Sequence, residues 1–315
     1  MNLRAVRQAE TKGSIVRDCP GTSRHICCGY KTIDLVEGCP LSCSYCILKG
    51  YLNSAGITIH KETAGIIKQI ERAIDLEKDH VVRFGTGELS DSLALDRRLD
   101  LNRPIVQFFG ESKKALLELK SKWASIEHLR ACLNPYTVVS FSLAPQACIN
   151  REEKRTSPLH KRLKALKSAQ DLGCFVGLHF DPVIIYEGFE RDYRHLIDDV
   201  SRSIDLKKVI WVSMGLLRFV PGLMKVFMEE GRRHLLHGEF IRAEDGKYRY
   251  IKSERIRVYR MLYELLKARE PDLFIYLCME RSDVWEEVTG TMLENDEALI
   301  SLFDRRIRGF YGGSL

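Results

Sequence analysis

The sequence predicts an α/β protein, a partial (β/α)6 barrel followed by a C-terminal extension that contains a β-hairpin. Short apolar, β-branched runs alternate with segments in which apolar residues recur three and four positions apart. Such alternation is typical of a parallel sheet covered by helices. Six of the runs precede residue 215, which suits an open, partial barrel. The chain has 315 residues, of which 45% are hydrophobic and 29% charged, and this composition excludes a disordered protein.

The predicted elements follow one another along the chain. The strands are at residues 30–36, 80–84, 116–122, 137–143, 174–180, 209–214 and 273–279. The helices are at residues 61–77, 158–172, 190–204 and 253–268. The run 116–122 fits a helix as well as a strand by its pattern, and we count it among the strands.

Three parts are expected along the chain: an N-terminal segment at residues 1–29, the barrel at 30–218, and an extension at 219–315 that packs on the barrel. In the extension, Asp245-Gly246 lies between two runs of strand-like residues, and this dipeptide predicts a hairpin. The hairpin alternates aromatic and basic residues, a pattern that suits a groove for nucleic acid. An ordinary amphipathic hairpin explains the same alternation.

The charge balance permits an anionic partner without requiring one. The net charge is +6, and the basic residues gather at 151–167, 242–260 and 305–308, where solvated helix faces are an equal explanation. The N-terminus lacks the apolar core of a signal peptide, and the most apolar stretch contains Arg218 and Lys225. We therefore expect a cytoplasmic protein with no membrane span. Its ten cysteines are then ligands, catalytic thiols or core residues rather than disulfides.

A short loop after the first predicted strand carries the most informative motif. Cys39, Cys43 and Cys46 have the spacing C-x3-C-x2-C, which can direct three thiolates to one centre. Three cysteines are incomplete for structural zinc, which takes four protein ligands. They are sufficient for a [4Fe–4S] cluster in which one iron remains open to a ligand that is not protein. A cluster of this kind is therefore the predicted cofactor.

A second loop, after the second predicted strand, contains Gly85, Gly87, Glu88 and Ser90. Ligands of parallel α/β sheets bind at the carboxyl ends of the strands, so this loop belongs to the same predicted site. The two glycines allow the backbone to approach a ligand closely. A plain strand-to-helix turn, capped by Ser90 or Asp91, is the alternative explanation.

With these two loops the chain resembles the radical S-adenosylmethionine (SAM) superfamily, and its partial barrel is of that type. The resemblance implies that the open iron binds SAM and that the reduced cluster cleaves it to methionine and a 5′-deoxyadenosyl radical. It also implies a reductant such as flavodoxin or ferredoxin as a partner. Gly87 and Glu88 look like the glycine-glycine-glutamate element that holds the methionine amino group.

Within the superfamily the chain resembles the spore photoproduct lyase family over roughly residues 30–300. The resemblance is carried by segments at residues 89–96, 108–110, 156–162, 176–189, 193–196 and 217–219. It implies that Ser90, Lys122 and Ser142 contact SAM and that Tyr45 lies beside the cofactor as a catalytic residue. An ordinary lysine at the surface and an ordinary serine in a strand would explain Lys122 and Ser142 equally well. His179, on the fifth predicted strand, is a weaker cofactor-site candidate.

The chain also departs from that family in ways that bear on the reaction. The family's hydrogen-donor cysteine corresponds to Glu88, which we keep as a catalytic-site position, and its second tyrosine corresponds to Ile47. A thiol gives up a hydrogen atom easily and a carboxylate does not. Either Cys148 or Cys278 can replace that thiol by its position near a strand end, although a buried apolar role is the commoner one for such a cysteine.

Further residues carry weaker hypotheses. Cys19, Cys27 and Cys28 can ligate a second cluster or be incidental, and Asp181 belongs to the site or to a turn. His234 and His237 have a spacing that metal sites use, although a solvated helix face explains them as well.

Three functions therefore compete. The first is photoproduct repair in DNA, and the second is radical SAM chemistry on another substrate, such as a modified base, a nucleotide or a peptide. The third is an iron–sulfur sensor or nucleic-acid-binding module, which would not cleave SAM. The sequence leaves the substrate and the oligomeric state open.

Overall fold

The computed structural model describes residues 6–9, 13–22, 24–51, 56–312 and 315. The strands of this part are β1 Val6–Ala9, β2 Val16–Asp18, β3 Lys31–Ile33, β4 Val36–Glu37, β5 Ser42–Cys43, β6 Ile57–His60, β7 Arg83–Gly85, β8 Leu116–Ser121, β9 Thr137–Ser142, β10 Glu153–Lys154, β11 Val176–Val183, β12 Val209–Leu216, β13 Arg218–Phe219, β14 Phe240–Arg242, β15 Tyr248–Tyr250 and β16 Ile275–Leu277. The helices are α1 Leu48–Tyr51, α2 Thr63–Leu76, α3 Asp96–Leu99, α4 Asn102–Ser112, α5 Gln146–Glu152, α6 Leu159–Asp171, α7 Phe189–Ser203, α8 Pro221–Glu229, α9 Lys252–Lys267, α10 Ser282–Thr289 and α11 Asp296–Tyr311. Short 3-10 segments lie at Glu127–Leu129, Leu206–Lys208 and Arg233–Leu236.

The central element is a curled eight-stranded sheet with the order β2-β3-β7-β8-β9-β11-β12-β16. Every neighbouring pair in it is parallel except β2 and β3. The predicted α/β partial barrel is therefore confirmed. The sheet also takes one edge strand, β2, from the N-terminal segment and the other, β16, from the C-terminal extension.

Strands of this sheet are apolar on both faces because helices cover the outside and side chains fill the inside. All eight residues of β12 are buried, and in β8 only Lys120 is partly exposed. This burial on two faces explains why residues 116–121 form a strand although their pattern fits a helix as well. Outside the sheet, α2 buries Ile66, Ile70 and Ile74, which recur every fourth position on one helix face.

The first predicted strand, residues 30–36, is wrong in its extent. The run divides into β3, which joins the main sheet, and β4, which pairs with β6 in a separate three-stranded sheet. The break falls at Asp34, whose buried carboxylate accepts a hydrogen bond from Arg17 Nε at 2.8 Å. The cysteine loop therefore follows β4, and not the barrel strand directly.

The predicted hairpin is confirmed, because β14 and β15 pair antiparallel on either side of Asp245-Gly246. Its side chains on β15, however, are largely buried, whereas Ile241 and Arg242 on β14 are exposed. Lys247, Arg249 and Tyr250 are at most 9% exposed, and Arg249 Nη2 donates to Asp245 Oδ2 at 2.6 Å. The aromatic rings of the hairpin pack on Phe219 or on one another. The structure favours an ordinary amphipathic hairpin over a nucleic-acid groove.

Two further arginines from the basic clusters serve the interior rather than a solvated face. Arg162 is fully buried in α6, and Arg255 of α9 is 7% exposed and pairs with Glu280. Among the described residues, no helix combines the length and the apolar character that a membrane crossing requires.

Candidate functional site

A cavity opens at the carboxyl edge of the main sheet, where ligand sites of parallel α/β proteins lie. Its wall is formed by the loops after β4 and β7, by the ends of β8 and β9, by the second half of β11 and by the start of β13. It brings together every site residue predicted from the sequence: Cys39, Cys43, Tyr45, Cys46, Gly87, Glu88, Ser90, Lys122, Ser142 and His179. Residues that are far apart in the chain thus share one wall.

The cysteine loop is fixed to two neighbouring segments. Within it, β5 pairs antiparallel with β10, so that Cys43 lies opposite Glu153. The backbone N–H of Gly38 donates to Leu89 O at 2.9 Å, and the hydroxyl of Ser90 donates to Gly38 O at 2.9 Å. Ser90 therefore ties the cysteine loop to the loop after β7 in this structure.

The three thiols line one cavity, and three cysteines are the number of ligands that a [4Fe–4S] cluster with one open iron takes. Burial raises the pKa of Cys43 to about 12 although the charge of Lys122 lowers it, and burial followed by the charge of Asp91 raises the pKa of Cys39. The thiols of Cys39 and Cys43 are thus protonated near neutral pH until a metal displaces the protons. In the described part of the chain, no three Cys, His, Asp or Glu side chains are placed to share a single metal ion, which such a cluster does not need.

Tyr45 and Lys122 meet at a residue that sequence reasoning missed. Tyr45 is buried and its hydroxyl donates to Glu153 Oε1, and Lys122 Nζ lies 4.0 Å from the same oxygen. The ammonium of Lys122 also lies 5.8 Å from the centre of the Tyr45 ring. Burial, and then the charge of Glu153, raises the pKa of Tyr45, so that its phenol stays neutral.

Glu88 faces the cavity in an ion pair. Its Oε2 lies 3.7 Å from Lys120 Nζ, and both side chains are 29% exposed. The pair brings a carboxylate and an ammonium to the wall of the same pocket as the cysteines. Glu88 is thus placed to act on a ligand in the cavity by charge.

Gly85 and Gly87, at the end of β7 and in the loop after it, both lie very close to other protein atoms. A Cβ on Gly87 would lie 2.8 Å from the backbone oxygen of Lys120, and a Cβ on Gly85 would lie 1.5 Å from the hydroxyl of Tyr30. Neighbouring protein atoms therefore exclude a side chain at both positions. The close approach of a ligand to Gly87, which lines the cavity, stays a prediction.

His179 lines the cavity, and its imidazole contacts the buried carboxylate of Glu118. Its Nε2 lies 2.8 Å from Glu118 Oε1, an oxygen that also accepts hydrogen bonds from Ser140 Oγ and Trp211 Nε1. Burial would raise the pKa of Glu118, but His179 and these hydrogen bonds lower it to about 2. A buried, ionised carboxylate therefore orients the imidazole toward the cavity wall.

Asp181 belongs to the site, as one of its two sequence readings proposed. Its Oδ2 lies 3.1 Å from Arg218 Nη2, and both residues line the cavity. Arg218 Nη2 also donates to Cys278 Sγ at 3.7 Å. Neither of the two thiols considered as hydrogen donors lines the cavity. Cys278 contacts the cavity wall through Arg218, whereas Cys148 is 1% exposed in α5.

The remaining cysteine and histidine candidates have other partners. The thiols of Cys27 and Cys28 hydrogen-bond each other, which lowers the pKa of Cys27 to about 7. The second cluster that Cys19, Cys27 and Cys28 can ligate stays a hypothesis, because the lack of a single-ion site among the described residues does not bear on a cluster. His234 Nε2 lies 2.5 Å from Glu152 Oε1, while His237 lines a different groove beside α7. The histidines therefore do not form the metal pair that their spacing allows.

Comparison with known proteins identifies the family. The model of the spore photoproduct lyase family matches residues 27–275. The chain is 25% identical over 238 residues to the spore photoproduct lyase of Clostridium acetobutylicum and 26% identical over 236 residues to that of Bacillus subtilis, in each case covering 70% of this chain and 68% of the relative. These matches confirm the resemblance seen in the sequence.

A solved structure confirms the fold. A spore photoproduct lyase variant with bound AdoMet and dinucleoside spore photoproduct superposes with a TM-score of 0.76 at 21% identity, covering 86% of this chain and 82% of that one. The eight-stranded partial barrel is therefore the radical SAM type that the sequence predicted. The chain belongs to the spore photoproduct lyase family of radical SAM enzymes.

Proposed function

We propose that this chain holds a [4Fe–4S] cluster through Cys39, Cys43 and Cys46, binds SAM beside it, and acts on a photoproduct in DNA. The observation that carries the proposal is the single cavity in which the three thiols and all the predicted SAM-contact residues meet. When bound, the cluster and SAM supply a radical that abstracts a hydrogen atom from the substrate. The chain's own residues bind, orient and shield these groups.

The charged side chains of the wall suit the two ends of the methionine part of SAM. Lys122 offers an ammonium to a carboxylate, since its one ion pair among the described residues is the long 4.0 Å contact to Glu153. Glu88, which lines the same cavity, offers a carboxylate to the amino group. Ser142 and Tyr45 lie on the same wall and limit the space beside the cofactor.

Further charged side chains that line the cavity support a nucleobase as substrate. Arg218 and Lys120 provide donors, and Asp181, which pairs with Arg218, provides acceptors. A pyrimidine base has carbonyl oxygens and an N–H group that such pairs complement. One solved relative carries a dinucleoside spore photoproduct, and DNA is accordingly the first substrate to test.

The completion of the reaction needs a hydrogen donor other than Glu88, because a carboxylate has no weakly bound hydrogen atom. Cys278 is the thiol beside the cavity, and burial raises its pKa to about 12. It therefore keeps its hydrogen near neutral pH, which a donor of a hydrogen atom must do. In this proposal Cys278 takes the place of the family's donor cysteine.

The test is loss of photoproduct from ultraviolet-irradiated DNA by the anaerobically reconstituted and reduced protein with SAM. The expected result is photoproduct loss that requires SAM, together with more 5′-deoxyadenosine than unirradiated DNA elicits. Cleavage of SAM with no response to irradiated DNA would contradict the substrate and leave a modified base, a nucleotide or a peptide. No cleavage of SAM at all would favour the iron–sulfur sensor.

A further inference from the structure

Glu153 lies under the cavity wall, on β10, and contacts several of the predicted cofactor residues without lining the cavity itself. It is 4% exposed, although it is one of the most polar side chains of the chain. Its backbone pairs with Cys43 of the cysteine loop. The sequence contains no local pattern that singles it out.

Each carboxylate oxygen of Glu153 has its own partners. Oε1 accepts the hydrogen bond of the Tyr45 hydroxyl and lies 4.0 Å from Lys122 Nζ. Oε2 accepts a hydrogen bond from Arg162 Nη2 at 2.5 Å. One side chain thus joins a tyrosine of the cysteine loop, a lysine at the end of β8 and an arginine of α6.

Arg162 extends the same network to the other strand ends. It is fully buried, and its Nη1 donates to Ser142 O at 2.7 Å and its Nε to Ser157 O at 2.8 Å. The backbone N–H of Ser157 in turn donates to Lys122 O at 2.9 Å. Tyr45, Lys122 and Ser142 are therefore all held through Glu153 and Arg162.

The network works only with an ionised carboxylate at its centre. Burial would raise the pKa of Glu153, but the charges of Lys122 and Arg162 and the hydrogen bonds from Tyr45 and Arg162 hold it below its usual range. A neutral amide in its place would leave the buried guanidinium of Arg162 without a counter-charge and would release Lys122.

We propose that Glu153 is a positioning residue of the SAM site: its carboxylate holds the Lys122 ammonium and the Tyr45 phenol at the spacing that receives the methionine end of SAM. This inference rests on the proposed function for the identity of the ligand. This role differs from that of the cysteines, because the carboxylate of Glu153 bonds to Tyr45, Lys122 and Arg162, while the backbone of Glu153 pairs with Cys43.

The first test needs neither cluster nor SAM. The metal-free protein is treated briefly with an amine-acylating reagent, and the labelling of Lys122 is followed by peptide mass spectrometry. Glu153→Gln should raise the labelling rate several-fold, because the carboxylate no longer holds the amine. Asp304→Asn is the matched control. Asp304 is also a buried carboxylate, but it pairs with His80, and neither residue lines this cavity.

The second test uses the reconstituted protein and measures iron content and the dissociation constant for SAM separately. Glu153→Gln should keep the iron content of the wild type and bind SAM about tenfold more weakly, the scale of one charged hydrogen bond. Unchanged Lys122 labelling together with unchanged SAM affinity would overturn the inference. Loss of iron in Glu153→Gln, with iron retained in Asp304→Asn, would also overturn it and assign Glu153 to the cluster.

Failure of the proposed function has a different signature. Wild-type protein that binds iron but no SAM would contradict the proposed function, while the labelling of Lys122 would still report on Glu153. If Glu153→Gln does not fold, Glu153→Asp serves instead, because it keeps the charge opposite Arg162 and withdraws it by one methylene. Glu153→Asp should weaken SAM binding less than Glu153→Gln is expected to. If Glu153→Asp bound SAM as tightly as the wild type, the inference would be contradicted.

Discussion

At the scale of single residues, the chemistry of the cysteine loop and of the loop after β7 could be predicted because each motif has a local spacing. Cys39, Cys43 and Cys46 carry their own signal, and the resemblance located Lys122 and Ser142, which line the same cavity. Glu118 and Glu153 could not be found in this way. They act through partners from 9 to 108 positions away, and no local pattern marks a buried carboxylate of that kind.

The position of Cys278 leads to the first prediction. Cys278→Ala should leave SAM cleavage in place and lower the yield of repaired base per SAM cleaved, because the thiol beside Arg218 is the proposed hydrogen donor. The yield is measured by quantifying repaired DNA against 5′-deoxyadenosine. Cys148→Ala is the comparison variant, since Cys148 is the other thiol considered as a donor and is buried in α5. An unchanged yield in Cys278→Ala would exclude Cys278 as the donor.

The contact of Gly85 with Tyr30 leads to the second prediction. Gly85→Ala should destabilise the protein by roughly 2 kcal/mol or more, because its Cβ would overlap the phenol of a neighbouring strand. The free energy of unfolding is measured in urea. Gly222→Ala is the control, since a Cβ there meets no atom within 4 Å. Equal stability of the two variants would contradict the close packing at Gly85.

At the scale of elements, sequence patterns succeeded where a strand is long and buried on both faces, as in β12, and failed where a short polar break interrupts a run. The run at 30–36 looks continuous, but the buried Asp34 ends β3 and the chain enters a second sheet. The two-residue strands β5 and β10 gave no signal, because two residues have no periodicity. Their pairing nevertheless fixes the cysteine loop.

Helix α11 leads to the third prediction, through its contact with the segment before β7. His80 Nδ1 lies 2.6 Å from Asp304 Oδ2 and its Nε2 lies 2.7 Å from Glu297 Oε1. The hydrogen bond to Asp304, opposed by burial and reinforced by the acidic charges, raises the pKa of His80. A raised pKa means that the protonated imidazole stabilises the fold at low pH and that this contribution is lost as the pH rises through the folded-state pKa.

The measurement compares wild type with His80→Gln by urea unfolding at about pH 5 and about pH 9, on either side of the usual histidine range. The free energy of unfolding of the wild type should exceed that of the variant at the acidic pH, and this difference should shrink at the alkaline pH. A difference that grows with pH would have the wrong sign and would contradict the ion pair between α11 and His80.

At the scale of the whole molecule, the alternation of strands and helices predicted the parallel sheet, but not which segments close its edges. The extension, which is expected to pack on the barrel, supplies β16. This strand pairs parallel with β12, with Ile275 opposite Val212. Helix α11 adds Arg306, whose guanidinium donates to the backbone oxygens of Val209 and Ile210. Three-residue strands and arginine–backbone contacts of this kind leave no pattern in the sequence.

This arrangement leads to the fourth prediction. A chain that ends at residue 268 lacks β16 and α11, exposes the edge of the buried strand β12, and should lose cooperative folding. Urea unfolding followed by circular dichroism measures this. A sharp transition in the shortened chain, comparable to that of the full chain, would show that the barrel folds without its extension.

The central claim, that the three thiols of the cysteine loop make SAM chemistry possible, is tested most directly by 5′-deoxyadenosine release from the anaerobically reconstituted and reduced protein. Wild type should release 5′-deoxyadenosine from SAM, and Cys43→Ala should release none. Cys132→Ala should match the wild type, since the thiol of Cys132 donates only to the neighbouring backbone oxygen of Leu129. Release that survives in Cys43→Ala, or no release from the wild type, would contradict the claim.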